Sequence, residues 1–99
     1  MMEKNVGLLV RLVAKPGKEQ AVADFLSSAL PLAEAEPNTV TWYAARIDEQ
    51  TFIIFDTFPD DEGRQAHLSG PIAAALMAHA EELLAEAPDI KPVAVLASK

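Results

Sequence analysis

Two short stretches of the chain are apolar at almost every position, and they limit the folds available to it. They are Asn5 to Ala14 (NVGLLVRLVA) and Thr51 to Phe58 (TFIIFDTF). Both are short for a helix and rich in β-prone residues, so we predict that both are strands. A strand that is apolar on both faces indicates a central position in a sheet whose two faces are both covered.

The segment after the first strand has the periodicity of a helix. The helix is expected from about Lys18, with one apolar stripe formed by Val22, Phe25, Leu26, Ala29 and Leu30. Pro31 has no amide hydrogen, so we expect the helix to kink or stop there, with Leu32 to Glu36 as a separate final turn.

Two more strands and a second helical region complete the pattern. The β-prone segment Thr39 to Ile47 predicts strand two, joined to Thr51 to Phe58 by a short hairpin. Asp60 or Asp61 is expected to cap the next helix. The helix should break at Ser69-Gly70-Pro71, resume with Ser69 as a new N-cap, and end after Ala87 at Pro88. Val93 to Ala97 predicts strand four.

The resulting order, β-α-β-β-α-β, is that of an α+β ferredoxin-like domain with an antiparallel sheet, and we expect residues 1–99 to form one such domain. Two helical regions can cover only one sheet face. The other face would carry Leu9, Val13, Ile53 and Phe55, and burying these four is worth about 6–12 kcal/mol at most. We therefore predict a homodimer in which two sheets pack face to face.

Composition excludes several classes of function. The net charge is −7 and no lysine or arginine cluster exists, so nucleic acid is not an expected partner. The chain has no cysteine, which excludes disulfides and thiolate metal sites, and its two histidines lack the HExxH spacing. No apolar run approaches the length of a membrane span. We expect a cytoplasmic protein without a metal site.

At several points the sequence resembles the antibiotic biosynthesis monooxygenase (ABM) domain family, whose members form dimeric α/β barrels. The residues that carry the resemblance are Ala14 to Glu19 (AKPGKE), Glu36-Pro37-Asn38 and Phe55 to Gly70 (FDTFPDDEGRQAHLSG). Phe52, Asp56 and Phe58 stand where the family often has an aromatic, an acidic residue and a tryptophan. His67 stands where it commonly has a histidine. The resemblance covers nearly the whole chain.

The resemblance implies a monooxygenase that oxidises a small phenol or quinol with molecular oxygen and without metal or flavin. The family also includes haem-degrading members, which use an asparagine within strand one and a tryptophan–histidine pair on the second helix. Here the first strand has only Asn5, at its start, and Trp42 lies on strand two. Two other hypotheses stay open, namely a non-catalytic binding or accessory barrel and an isomerase of small carbonyl compounds.

Asp56 and His67 are the candidate catalytic residues. Asp56 alternates with large apolar residues, so a raised pKa could make it a base. The alternative is that Asp56, two residues from the strand end, reaches solvent or pairs with Arg46 or Arg11. His67 titrates near neutral pH and could move a proton, although a histidine near a helix C-terminus is also common on surfaces. His79 flanks an apolar stripe and is expected to pack.

The candidate substrate-binding residues are Trp42, Phe58 and Phe52, which could stack on a small apolar aromatic compound. Trp42 and Tyr43 point to opposite faces of strand two, so one is expected inside and the other on the dimer face. Arg64 is expected to be solvated. An enclosed cavity of roughly 300 Å³ bordered by Asp56 and His67 would favour an enzyme over an accessory barrel.

Overall fold

The computed structural model describes residues 4–99. Its elements follow the order β1 (Val6–Val13), α1 (Glu19–Ser28), α2 (Leu30–Glu34), β2 (Thr41–Arg46), β3 (Thr51–Phe58), α3 (Asp61–Leu68), α4 (Pro71–Leu83) and β4 (Asp89–Ala94). The four strands form one sheet in the order β2-β3-β1-β4, and each neighbouring pair is antiparallel. This confirms the predicted α+β ferredoxin-like fold, with β1 and β3 in the centre.

Alternation along β1 and β3 separates the two faces of the sheet. The face under the helices carries the buried side chains of the core, which include Leu8, Val10, Leu12, Phe52, Ile54 and Phe58. Val22 and Leu26 of α1 and Ile72 and Leu76 of α4 are buried as well. The apolar stripes of the two helical regions therefore dictate which side of each strand faces inward.

The opposite face of the sheet is apolar too. Tyr43 pairs with Phe55, and Phe55 pairs with Leu9, so these three side chains form a row across β2, β3 and β1. Leu9 is 38% exposed and Tyr43 is 63% exposed. We call this surface, with Ile53 next to Phe55 on the same face, the open face. It agrees with the apolar second face predicted from the sequence.

The first helical region breaks earlier than predicted. Helix α1 ends at Ser28, Ala29 caps it, and α2 begins at Leu30. Pro31 lies in the first turn of α2, where its missing N–H has no intrahelical acceptor to lose. The separate segment therefore starts at Leu30 and ends at Glu34, not at Leu32 and Glu36.

The second helical region also differs from the prediction at the start and at the end of α4. Gly70, not Ser69, is the N-cap of α4, while Ser69 ends α3 with its N–H donated to the carbonyl of Gln65. Helix α4 stops at Leu83, because Leu84 pairs with Ala14 in an isolated bridge. The expected continuation to Ala87 was wrong.

Strand β4 lies earlier than the predicted Val93 to Ala97, because it spans Asp89–Ala94. Pro92 falls inside it, opposite Leu8 of β1. An edge strand tolerates this proline because one side of the strand has no hydrogen-bonding neighbour. Within residues 4–99, none of the helices has both the length and the apolar character that crossing a membrane requires.

Candidate active site

Helix α3 presents His67 to the sheet. Asp60 caps the helix, with its Oδ1 accepting a hydrogen bond from the Gly63 amide at 2.9 Å. Gly63 and His67, four residues apart and so on one face, are the buried residues of α3. A Cβ at Gly63 would lie 3.1 Å from Cβ of Asn38, so the glycine allows α3 to approach the loop before β2 closely.

His67 lies between two carboxylates. Its Nδ1 is 2.6 Å from Oε1 of Glu36, and its Nε2 is 2.9 Å from Oδ2 of Asp56. The side chains of His67, Glu36 and Asp56 are 8%, 15% and 0% exposed. Thr39 also donates to Oε1 of Glu36, at 2.7 Å. We call Glu36, Asp56 and His67 the carboxylate–histidine cluster.

The two contacts of His67 differ in quality. The contact with Glu36 has the geometry of a hydrogen bond. Nε2 of His67 lies close to Oδ2 of Asp56, but that contact does not have the geometry of a hydrogen bond. Both carboxyl oxygens of Asp56 are buried and accept no regular hydrogen bond. Oε2 of Glu36 and Nε1 of Trp42 are also buried without a partner. The cluster is therefore held tightly on the Glu36 side and under-satisfied on the Asp56 side.

The pKa of His67 reflects opposing influences. Burial, the largest single one, lowers it because desolvation disfavours the charged ring. The contacts with Asp56 and Glu36 and the charges of these two carboxylates together outweigh burial, so the pKa of His67 is raised above its ordinary value. The site therefore favours an imidazolium, and can keep a proton taken from a bound molecule.

A cleft of about 140 Å³ opens beside His67. Its polar wall consists of Glu36, Asn38, Thr39 and His67, with Gly63 and Gly70 among its other lining residues. The cleft is smaller than the cavity of roughly 300 Å³ expected for an enzyme, and Asp56 does not border it. Asp56 lies behind the imidazole, so a molecule in this cleft meets His67 and Glu36 first.

The three predicted substrate-binding residues do not all lie beside the carboxylate–histidine cluster. Phe58 is fully buried, and its ring centroid lies 5.3 Å from that of His67. Trp42 is directly opposite Asp56 in the β2–β3 register. Phe52 is four residues from Asp56 along β3, about 13 Å away, and lies under the guanidinium of Arg46.

Arginine pairing was an alternative for Asp56, but the arginines lie elsewhere. Arg11 contacts Glu86 at 3.4 Å on the surface, and Arg46 is 4.9 Å from the Phe52 ring. Arg64 is not fully solvated, since it is half-buried and donates to the carbonyls of Gly7 and Val93. His79 contacts the Phe25 ring, which agrees with the expected packing role.

Glu36 is the member of the cluster that the sequence did not single out as a site residue. It lies near the start of the α2–β2 connection, 31 residues from His67, and no periodicity links the two. The one signal was its place in Glu36-Pro37-Asn38. Within the described part of the chain, no group of three or more His, Cys, Asp or Glu side chains is placed to hold a metal ion.

Comparison with solved structures identifies a family. The chain is 56% identical to the NE2512 protein of unknown function from Nitrosomonas europaea, with 97% of this chain and 93% of that chain covered and a TM-score of 0.95. The chain belongs to the same protein family as NE2512. This relationship defines the fold and the family, but it brings no activity with it.

More distant structures share the fold. PA3566 from Pseudomonas aeruginosa is 21% identical over 98% of this chain and 99% of that chain, with a TM-score of 0.82. A structure described as an antibiotic biosynthesis monooxygenase is 12% identical over 93% of this chain and 99% of that chain, with a TM-score of 0.80. No protein-family model matches the chain, and no curated protein matches it significantly.

Proposed function

We propose that this chain is a cofactor-independent monooxygenase of the ABM type that acts on a small phenol or quinol. The observation that carries the proposal is His67, buried between Glu36 and Asp56 with a raised pKa. Buried titratable groups with a specific charge partner beside a cleft are typical of acid–base sites. The structural likeness to an antibiotic biosynthesis monooxygenase adds support for the reaction class.

In the proposed reaction, the Asp56–His67 pair removes the proton of the substrate hydroxyl. The two carboxylates stabilise the imidazolium that forms, and Phe58 beside the ring helps to keep the site dry. The resulting phenolate carries negative charge on ring carbon, which reacts with molecular oxygen. For hydroquinone, one oxygen atom enters the ring as a hydroxyl, the other leaves as water, and the product is a hydroxyquinone. The substrate supplies all four electrons, so no further reductant is required.

We also propose that residues 1–99 act as one cytoplasmic domain that pairs with a second copy. The open face is the supporting feature, because Leu9 and Tyr43 are exposed next to Phe55 and Ile53. Contiguous apolar surface of this kind marks an interaction site in soluble proteins. Sheet-to-sheet pairing of two copies would bury this surface on both chains at once.

Oxygen uptake tests the function. The wild-type protein is mixed with a panel of phenols and quinols that includes hydroquinone, and autoxidation without protein is subtracted. We expect uptake that yields the hydroxyquinone, its loss in His67→Gln, and its retention in His79→Gln. The second variant is the matched control, because His79 is exposed and its ring contacts Phe25.

Other results assign the chain to a different class. Conversion of a small carbonyl compound without oxygen uptake would indicate an isomerase that uses the same acid–base pair. Failure of every compound in the panel, with the cluster intact, would instead indicate a binding or accessory barrel. Either result rejects the monooxygenase proposal.

A further inference from the structure

The buried side-chain polar atoms that lack a hydrogen-bond partner are gathered in one region. In the part of the chain described, they are Oε2 of Glu36, Nε1 of Trp42, and Oδ1 and Oδ2 of Asp56. Buried polar groups are nearly always hydrogen-bonded, because leaving one without a partner costs its full desolvation penalty. A group of such atoms in one place therefore indicates that a further molecule belongs there.

Trp42 of β2 and Asp56 of β3 lie on neighbouring strands of the sheet. They are direct partners in the β2–β3 register, so their side chains leave the same face of the sheet. Asp56 is completely buried, and Nε1 of Trp42 is inaccessible although the residue as a whole is only half-buried. Trp42 belongs to β2, which is an edge strand of the sheet.

We infer that a hydroxyl group binds between Nε1 of Trp42 and the carboxylate of Asp56. The hydroxyl oxygen accepts the indole N–H, and the hydroxyl hydrogen is donated to Asp56. A single small group would then satisfy the buried donor and one of the buried acceptors. Water supplies this group in the free protein. A phenol or enol that supplies it in the complex displaces this water and reaches beyond the cleft, since neither Trp42 nor Asp56 lines the cleft beside His67.

The chemistry of the two side chains excludes other ligand types. An indole N–H only donates and a carboxylate only accepts, so the bound group must do both. A carbonyl oxygen could satisfy Trp42 but not Asp56. A carboxylate or phosphate would be repelled by Asp56 and Glu36, and a cation would leave the indole N–H without an acceptor. Of these groups, only the hydroxyl meets both demands at once.

The subsite gives Trp42 a role other than stacking, and in this respect it rests on the proposed function. As the proton leaves the substrate hydroxyl for the Asp56–His67 pair, the indole N–H remains directed at the oxygen that becomes negative. A donor fixed in a dry site stabilises such charge strongly. Trp42 would thereby favour the phenolate, the species that reacts with oxygen.

The experiment uses the fact that Trp42 is the only tryptophan in the chain. In a proton–nitrogen correlation spectrum the indole N–H gives a single resonance, which reports on this place alone. We expect a nuclear Overhauser contact between that resonance and a slowly exchanging water in the free protein. Added phenol should remove the water contact and shift the resonance downfield, whereas anisole, which lacks the hydroxyl, should not shift it in this way.

A variant pair measures the same hydrogen bond by affinity. Trp42→Phe keeps an aromatic ring but removes the donor, so calorimetry should show phenol binding about fivefold to tenfold weaker. Tyr43→Phe also removes one polar atom from β2, on the open face, and should bind phenol like the wild type. If Trp42→Phe does not fold, the wild-type spectra still decide the question.

The outcomes separate this inference from the proposed function. A water contact without a phenol shift supports the hydroxyl site but shows that substrate does not use it, which overturns the role of Trp42. An indole N–H that shows neither a water contact nor a phenol shift overturns the site itself. Both readings are made without turnover, so a failure of oxygen uptake bears only on the proposed function.

Discussion

Nδ1 of His67 lies 2.6 Å from Oε1 of Glu36, and this contact joins helix α3 to the loop that precedes β2. On its other side, the same ring approaches Asp56 of the central strand β3 at 2.9 Å. One imidazole therefore connects three separate parts of the fold. Any change at His67 is expected to affect stability as well as chemistry.

Removal of His67 should destabilise the protein strongly. In His67→Ala, Glu36 and Asp56 stay buried without a positive partner, and breaking a buried ion pair in this way costs about 3–5 kcal/mol. Urea denaturation at neutral pH measures the free energy of unfolding. His79→Ala, at an exposed position, should change it by about 0.5 kcal/mol or less. Equal effects of the two variants would contradict the buried pairing.

Stability should fall as the pH rises above the ordinary histidine pKa. Because the pKa of His67 is raised, the folded protein binds more protons than the unfolded chain between about pH 6.5 and the folded pKa. The contribution of His67 is complete below about pH 6.5 and is lost as the pH passes through the folded pKa. Denaturation curves at fixed protein concentration should show this decline, and His67→Gln should lack it. If the free energy of unfolding of the wild type increases over the same pH range, the raised pKa of His67 is contradicted.

Gly7 should not tolerate a side chain. A Cβ at this position would lie 2.6 Å from the carbonyl oxygen of Asp56 and 3.2 Å from Cγ2 of Val93. Strands β1 and β3 would have to separate next to the cluster, so we expect Gly7→Ala to lower the free energy of unfolding by about 1–3 kcal/mol. Urea denaturation provides the value. An unchanged midpoint would show that the strands are less closely packed there than the structure indicates.

A charge on the open face should disrupt the proposed homodimer. Leu9→Lys places an ammonium beside Phe55 in the middle of that face, where sheet-to-sheet pairing would bury it. Sedimentation at micromolar concentration should show a dimer for the wild type and a monomer for the variant. Leu30→Lys is the matched control, because Leu30 is exposed on α2 and should leave the dimer intact. A monomeric wild-type protein would contradict the proposed homodimer.

The apolar pattern of the chain predicted the fold because alternation and helical periodicity are local properties. Phe52, Ile54 and Phe58 identified the inner face of β3, and the same alternation placed Asp56 on it. The ends of elements were less predictable because they depend on distant residues. Helix α4 ends at Leu83 since Leu84 pairs with Ala14, about seventy residues earlier in the chain.

The composition of the site was only partly predictable for the same reason. Asp56 was a candidate because a carboxylate on an apolar strand face is unusual, and His67 because it titrates near neutral pH and stands where the ABM family commonly has a histidine. Glu36 and Arg64 looked like ordinary surface residues, and their contacts depend on how a loop and helix α3 pack against the sheet. Phe52 was associated with the site by its face alone, although it lies about 13 Å along the strand from Asp56.

The most direct test is a titration of His67 by nuclear magnetic resonance, followed through its ring carbon protons. With only two histidines in the chain, His67→Gln assigns the signal without ambiguity. The contacts with Asp56 and Glu36 predict a midpoint above the ordinary histidine value of about 6.5. A midpoint at or below that value would mean that burial prevails over both carboxylates, and the proposed proton-transfer site would be contradicted.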